Sequence, residues 1–342
     1  MTTGYVYDPI YLEHETGEHP ERPERLVSIM RALRDQGVLD DLVPVQPREA
    51  TVDELLYVHT ARHVKNVEQV ARGGGGYLDM DTVVSPRSYN AALMAAGGLI
   101  SAVDAVLGGT VTNAMALVRP PGHHATIDRG MGFCLFNNVA IATRYAQKAR
   151  AIERVMIVDF DVHHGNGSQD AFYADDSVYY LSTHEFPHYP GTGDVHETGS
   201  GKGKGYTLNI PLPAGVGDHG YGRAFDQIVA PAARRFSPDL MLVSAGYDAH
   251  WADPLAMMSL SVTGFGYLMG AIKSLAEELC RGKVVVALEG GYNLRALAAS
   301  VVATFSVLLE REFTDPLGPA TGRGLEPEID SLLGSIKRIH GL

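Results

Sequence analysis

Four short runs of the chain are apolar and strand-like, and each breaks into a polar, glycine-bearing turn. They are Asn113–Val118, Val155–Asp159, Asp239–Ser244 and Lys283–Leu288. Helix-length amphipathic segments lie between them. That alternation predicts a single-domain α/β fold, a mainly parallel open sheet with helices on both faces. Ligands in such sheets bind beyond the carboxyl ends of the strands, so the four polar turns are expected to converge at one rim.

The remaining pattern fills in around this sheet. A helix is expected to start near Pro23, where proline suits a first turn. Pro86–Leu107 is alanine-rich and apolar on most sides, which predicts a buried helix. Ser300–Leu309 also reads as a buried helix, and no stretch reads as long enough to cross a membrane. Gly73–Gly76 reads as a flexible loop inside the domain and Gly191–Gly205 as a long surface loop. The lysines and glycines of the latter suggest phosphate binding, but Walker spacing is absent and no helix follows, so that reading is rejected. There is no internal repeat. The domain is expected to cover residues 1–315, with residues 316–342 as a linker and a short helix. Gly318–Gly324 is linker-like, and Ile329, Leu332, Leu333, Ile336 and Ile339 then recur at helical spacing. This helix either docks on the domain or makes a subunit contact in a homo-oligomer.

Composition narrows the function by exclusion. The 342 residues carry a net charge of −12, without the basic footprint that nucleic-acid binding requires. The start lacks the basic and apolar regions of a signal peptide, so a cytoplasmic protein without membrane attachment is expected. Cys134 and Cys280 are far apart, which supports neither a disulfide framework nor a thiolate metal site.

The chemistry lies in the four turns. Asp159, Asp161 and His163 fall on one side of an extended chain. Asp161, His163 and Asp248 together would offer two carboxylates and an imidazole with one position left for water, the make-up of a catalytic zinc site. His250 and Asp253 are rival ligands from the loop that carries Asp248. A hydrolytic site also needs a base and an acid, and His123 and His124 on the Pro120-Pro121-Gly122 turn can supply both. Asp159 and Asn166 are candidates to orient them. Tyr292, after Gly290-Gly291, can donate its phenol to a developing oxyanion.

These motifs are Arg-Pro-Pro-Gly-His-His-Ala, Asp-Phe-Asp-Val-His-His-Gly-Asn-Gly, Tyr-Pro-Gly-Thr-Gly-Asp, Ala-Gly-Tyr-Asp-Ala and Leu-Glu-Gly-Gly-Tyr-Asn. Together they resemble the zinc-dependent histone deacetylases and their bacterial relatives, from His19-Pro-Glu-Arg-Pro-Glu-Arg25 to about residue 310. Glu289 and Asn166 look like the class II branch, which includes bacterial amidohydrolases. The resemblance implies zinc on Asp161, His163 and Asp248. It also implies His124 as the main general acid/base, His123 held by Asp159 for electrostatic help, and Tyr292 polarising the amide carbonyl. It further implies channel walls at Phe133 and Tyr189, and a Gly132 carbonyl that accepts from the substrate amide. Arg22 would stand near an internal acetate cavity, and potassium would bind through Asp159, Asp161, His163 and Ser182. Leu255 occupies the place where polyamine-specific relatives carry a glutamate, which favours acyl-lysine over acetylpolyamine as substrate. An arginase-like ureohydrolase, with a second metal, and a non-catalytic acyl-lysine binding module are the remaining alternatives.

Overall fold

The computed structural model describes residues 2–321 and 324–342. Ten strands occur in chain order: β1 (Thr3–Val6), β2 (Val43–Pro44), β3 (Gly76–Tyr77), β4 (Val83–Val84), β5 (Asn113–Ala116), β6 (Val155–Asp159), β7 (Val178–Glu185), β8 (Thr207–Leu212), β9 (Leu240–Ala245) and β10 (Val284–Leu288). Eight of them form one parallel sheet in the order β2-β1-β5-β10-β9-β6-β7-β8. Residues on the central strands β5, β6, β9 and β10 are buried throughout, as a sheet covered on both faces requires.

The expected strands and helices are present, with small shifts at their ends. Helices Ser88–Leu107 and Asn138–Arg150 pack together on the sheet, and Glu24–Asp35, Val262–Cys280 and Leu294–Leu308 form another packed group. Ser88–Leu107 does reach membrane-spanning length and apolarity, contrary to the sequence reading. It is nevertheless a core helix, with both the Ala91–Ala92 and the Ala95–Ile100 stretches buried. Strands β1, β7 and β8 escaped the sequence reading. The glycine run at 73–76 leads into a hairpin, β3 against β4, where a flexible loop was expected. Asp79 closes that hairpin by accepting from the Asp81 and Thr82 amides.

The tail docks on the domain. Helix Asp330–His340 buries Leu333 and Ile336 in the main core, and Lys337 donates to Gln227. Within the linker-like stretch 318–324, residues 322 and 323 lie outside the described residues.

Beneath the sheet rim, Glu21 is buried against two arginines. Arg119 donates to both its carboxylate oxygens, at 2.5 and 2.7 Å, and Arg25 donates at 3.0 Å. Burial would raise the Glu21 carboxyl, but Arg119 and Arg25 outweigh it and bring it down to about 2. The carboxylate therefore contributes stability above its unfolded pKa, which is lost as pH falls toward 2. Glu21→Gln leaves two buried guanidiniums undercompensated and should cost about 3–5 kcal/mol in denaturant unfolding. A loss under about 1 kcal/mol would show that the pairs are not coupled to the fold.

Candidate active site

The four polar turns follow β5, β10, β9 and β6, which are neighbours in the sheet. At about 4.8 Å per strand they fall within roughly 15 Å of one another, which is why they meet. The last two strands in the chain fill the gap between β5 and β6, so the site is completed only when β9 and β10 insert.

Asp161 and His163 follow β6, and Asp248 follows β9. One donor atom from each lies within 4.8 Å of the others. His163 Nδ1 is 3.2 Å from both Asp161 Oδ1 and Asp248 Oδ2. Burial alone would keep His163 neutral, but the two carboxylates drive it toward protonation. A divalent cation held by the same three atoms would neutralise that charge and displace the proton. The carboxylates are aimed from behind. Gly290 N donates to Asp161 Oδ2 at 2.8 Å and Val162 N to Asp248 Oδ1 at 3.0 Å. The cradle closes around them so tightly that a Cβ on Gly246 would lie 2.0 Å from Asp161 Oδ2. Hard and borderline donors in this number fit zinc.

The rival ligands do other work. Asp253 accepts from the Leu255, Tyr292 and Asn293 amides, so it anchors the turn that carries Tyr292. His250 Nδ1 accepts from the Ala252 amide. Asp159, a further buried carboxylate at the end of β6, is taken by His123 Nδ1 and the Tyr180 hydroxyl, each at 3.1 Å. Among the described residues, no second group of three ligands forms. Ser182 stands opposite Asp159 in the β6–β7 register, its hydroxyl 2.9 Å from His184 Nδ1.

The two histidines are adjacent in sequence and opposite in electrostatics. His123 is buried, which would lower its pKa, yet Asp159 and Asp161 outweigh that and raise it to about 10. His124 is pushed well below its ordinary value by burial, then by His123 and His163. Its Nδ1 donates to Asn166 Oδ1 at 2.9 Å, which leaves the Nε2 lone pair free in a neutral ring. Glu289, whose side chain the sequence reading left without a role, fixes the turn. It accepts from the Gly122 amide at 2.7 Å and the His123 amide at 3.2 Å. A carboxylate at the end of an apolar strand was the available signal.

Above this floor, His124, His163, Phe133, Tyr189, Leu255 and Tyr292 line a cavity of about 200 Å³, together with Gly132, His188 and Asp81. Phe133 is held edge-on between His19, at 4.4 Å, and Tyr292, at 5.8 Å, and its amide donates to Thr82 of the hairpin. The Gly132 carbonyl accepts the Cys134 thiol at 3.3 Å. A second lone pair on that oxygen remains. The Arg22 side chain is 41% exposed and lies 3.8 Å from the Glu24 carboxylate. Arg25, in the first turn of helix Glu24–Asp35, points inward and donates to the Glu289 and Gly291 carbonyls, under the Tyr292 ring.

Comparison with known proteins agrees with this architecture. The histone deacetylase domain model matches residues 19–308. A probable deacetylase of Archaeoglobus fulgidus is 44% identical, with 99% of this chain and 98% of that one covered. Histone deacetylase 10, chloroplastic, of Oryza sativa subsp. japonica is also 44% identical, over 86% of this chain and 71% of its own. The solved HD domain of HDA15 superposes with a TM-score of 0.90 at 39% identity, covering 99% of this chain and 94% of that one. The site is that of a hydrolytic deacetylase, and the chain belongs to the histone deacetylase family.

Gly246→Ala tests the cradle. The added methyl must displace Asp161, so metal affinity should fall by about tenfold or more while circular dichroism is unchanged. Undiminished metal affinity would mean that Asp161 is not a ligand.

Proposed function

We propose that the protein is a zinc-dependent amidohydrolase that removes acetyl groups from the ε-amine of lysine in proteins or peptides. The observation that carries this reading is the convergence of Asp161, His163 and Asp248 under a narrow aromatic cavity with a free imidazole nitrogen beside it. Zinc, when bound there, polarises the amide carbonyl and lowers the pKa of water.

The chain's own groups complete the reaction. Neutral His124 takes a proton from the attacking water at Nε2 and returns it to the departing amine. Positively charged His123, held by Asp159, favours negative charge developing beside it. The Tyr292 phenol, kept far from ionising by burial and then by Asp248, stays a hydrogen-bond donor for the oxyanion. Phe133 and Tyr189 confine the lysine methylenes, and Gly132 receives the amide N–H. Potassium through Asp159, Asp161, His163 and Ser182 belongs to the same proposal.

A second reading, acetylpolyamine hydrolysis, draws on Asp81, an exposed acidic residue on the cavity lining that a distal ammonium could pair with. Leu255 on the lining favours lysine, since a leucine cannot pair with a cationic amine.

Tyr292→Phe should retain zinc and lose turnover of an acetyl-lysine peptide by roughly 10²–10³-fold, the scale of one oxyanion donor. Near-wild-type kcat would remove Tyr292 from the chemistry. Wild-type protein should show higher kcat/KM on acetyl-lysine peptides than on acetylspermidine, and Leu255→Glu should move that ratio toward the polyamine. A wild-type preference for acetylspermidine would replace the lysine reading with the polyamine one.

A further inference from the structure

A second concavity, of about 430 Å³, lies at the opposite end of the sheet from the catalytic rim. Arg154 enters it from just before β6, Lys204 from the loop before β8, and Arg235 from helix Ala230–Phe236. Asp176 is the one carboxylate on the lining, so the local charge is positive in a chain whose net charge is −12. Strand β7 separates the two sites; its eight residues span roughly 25 Å.

The cations are placed by the fold. Arg154 Nη1 donates to the Phe236 carbonyl at 3.0 Å, and Arg235 Nη1 donates to the His340 carbonyl at 2.5 Å. Lys204 makes no side-chain hydrogen bond or ion pair among the described residues. The wall between the cations is formed by Tyr179 and His340, residues 2% and 9% exposed. Tyr206 lies beside them in an aromatic cluster with Tyr179 and Phe236, which supplies a flat apolar surface next to the cations.

We propose that this concavity binds a small planar molecule bearing a phosphate group, with the phosphate among Arg154, Lys204 and Arg235 and the planar part against Tyr206. Guanidinium forks and a lysine ammonium are the groups that hold phosphate oxygens. The arrangement differs from a Walker loop, since β8 and not a helix follows the glycine-rich segment.

Titration calorimetry of the full-length, metal-loaded protein tests this, with phenyl phosphate, inorganic phosphate and phenol as probes. Phenyl phosphate should bind one-to-one, at least about tenfold more tightly than either of the others, and more weakly as salt rises. Lys204→Glu and Arg154→Gln should each weaken it by about tenfold or more, whereas Lys65→Glu, away from the concavity, should not. Inorganic phosphate binding as tightly as phenyl phosphate would overturn the planar part of the ligand. No saturable binding, or binding that Lys204→Glu and Arg154→Gln both leave unchanged, would overturn the site.

Discussion

Four buried carboxylates at the ends of three adjacent strands, β6, β9 and β10, are the constraint around which this protein is arranged. Asp159, Asp161, Asp248 and Glu289 are all 0–1% exposed. Carboxylates removed from water in this way are stable only if cations or hydrogen-bond donors meet them. The fold supplies backbone amides from Gly122, Val162 and Gly290, and imidazoles from His123 and His163. What amides and imidazoles leave uncompensated at Asp161 and Asp248 is the basis for placing a divalent cation there.

The same charge separates the roles of two neighbouring histidines. His123 faces Asp159 and Asp161 and is held protonated, while His124, its ring centre 4.0 Å away and its plane tilted by 46°, faces an uncharged amide and is held neutral. Tandem histidines on one turn would otherwise compete for the same proton. Glu289 keeps the turn in register, and Arg25 holds the next turn through the Glu289 and Gly291 carbonyls. A chain of contacts thus runs from the Glu21–Arg119–Arg25 cluster to Tyr292, and the stability of the base of the domain and the geometry of the rim depend on shared residues.

Much of the fold and of the site floor was legible because it is written locally. Apolar runs ending in Asp161, Asp248 and Glu289 mark both the strands and the rim, and tandem histidines on a proline turn are rare enough to stand out. Strands β7 and β8 were hidden because His184, Glu185 and Asn209 interrupt their apolar runs; His184 pairs with Ser182 and the Gly193 carbonyl, Asn209 with the Glu197 carbonyl and Glu185 with the Met257 amide, partners that come near only in three dimensions. Asp253 looked like a ligand for the same reason that it works as an anchor, since a short carboxylate beside the site accepts amides as readily as a metal. Arg22 and Arg25 are both arginines in one charged run, and only the helix start between them, with Arg22 before Pro23 and Arg25 in the first turn, sends the second inward. Asp81 and His188 reach the cavity through a hairpin and a loop whose paths no periodicity reveals.

The account rests on one metal held by three particular side chains. Anomalous scattering at the zinc absorption edge, from crystals of zinc-loaded protein, tests this directly. The expected result is a single peak per chain between His163 Nδ1 and the carboxylates of Asp161 and Asp248. Two peaks sharing Asp161 and Asp248, or one peak displaced to Asp253 or His250, would contradict it.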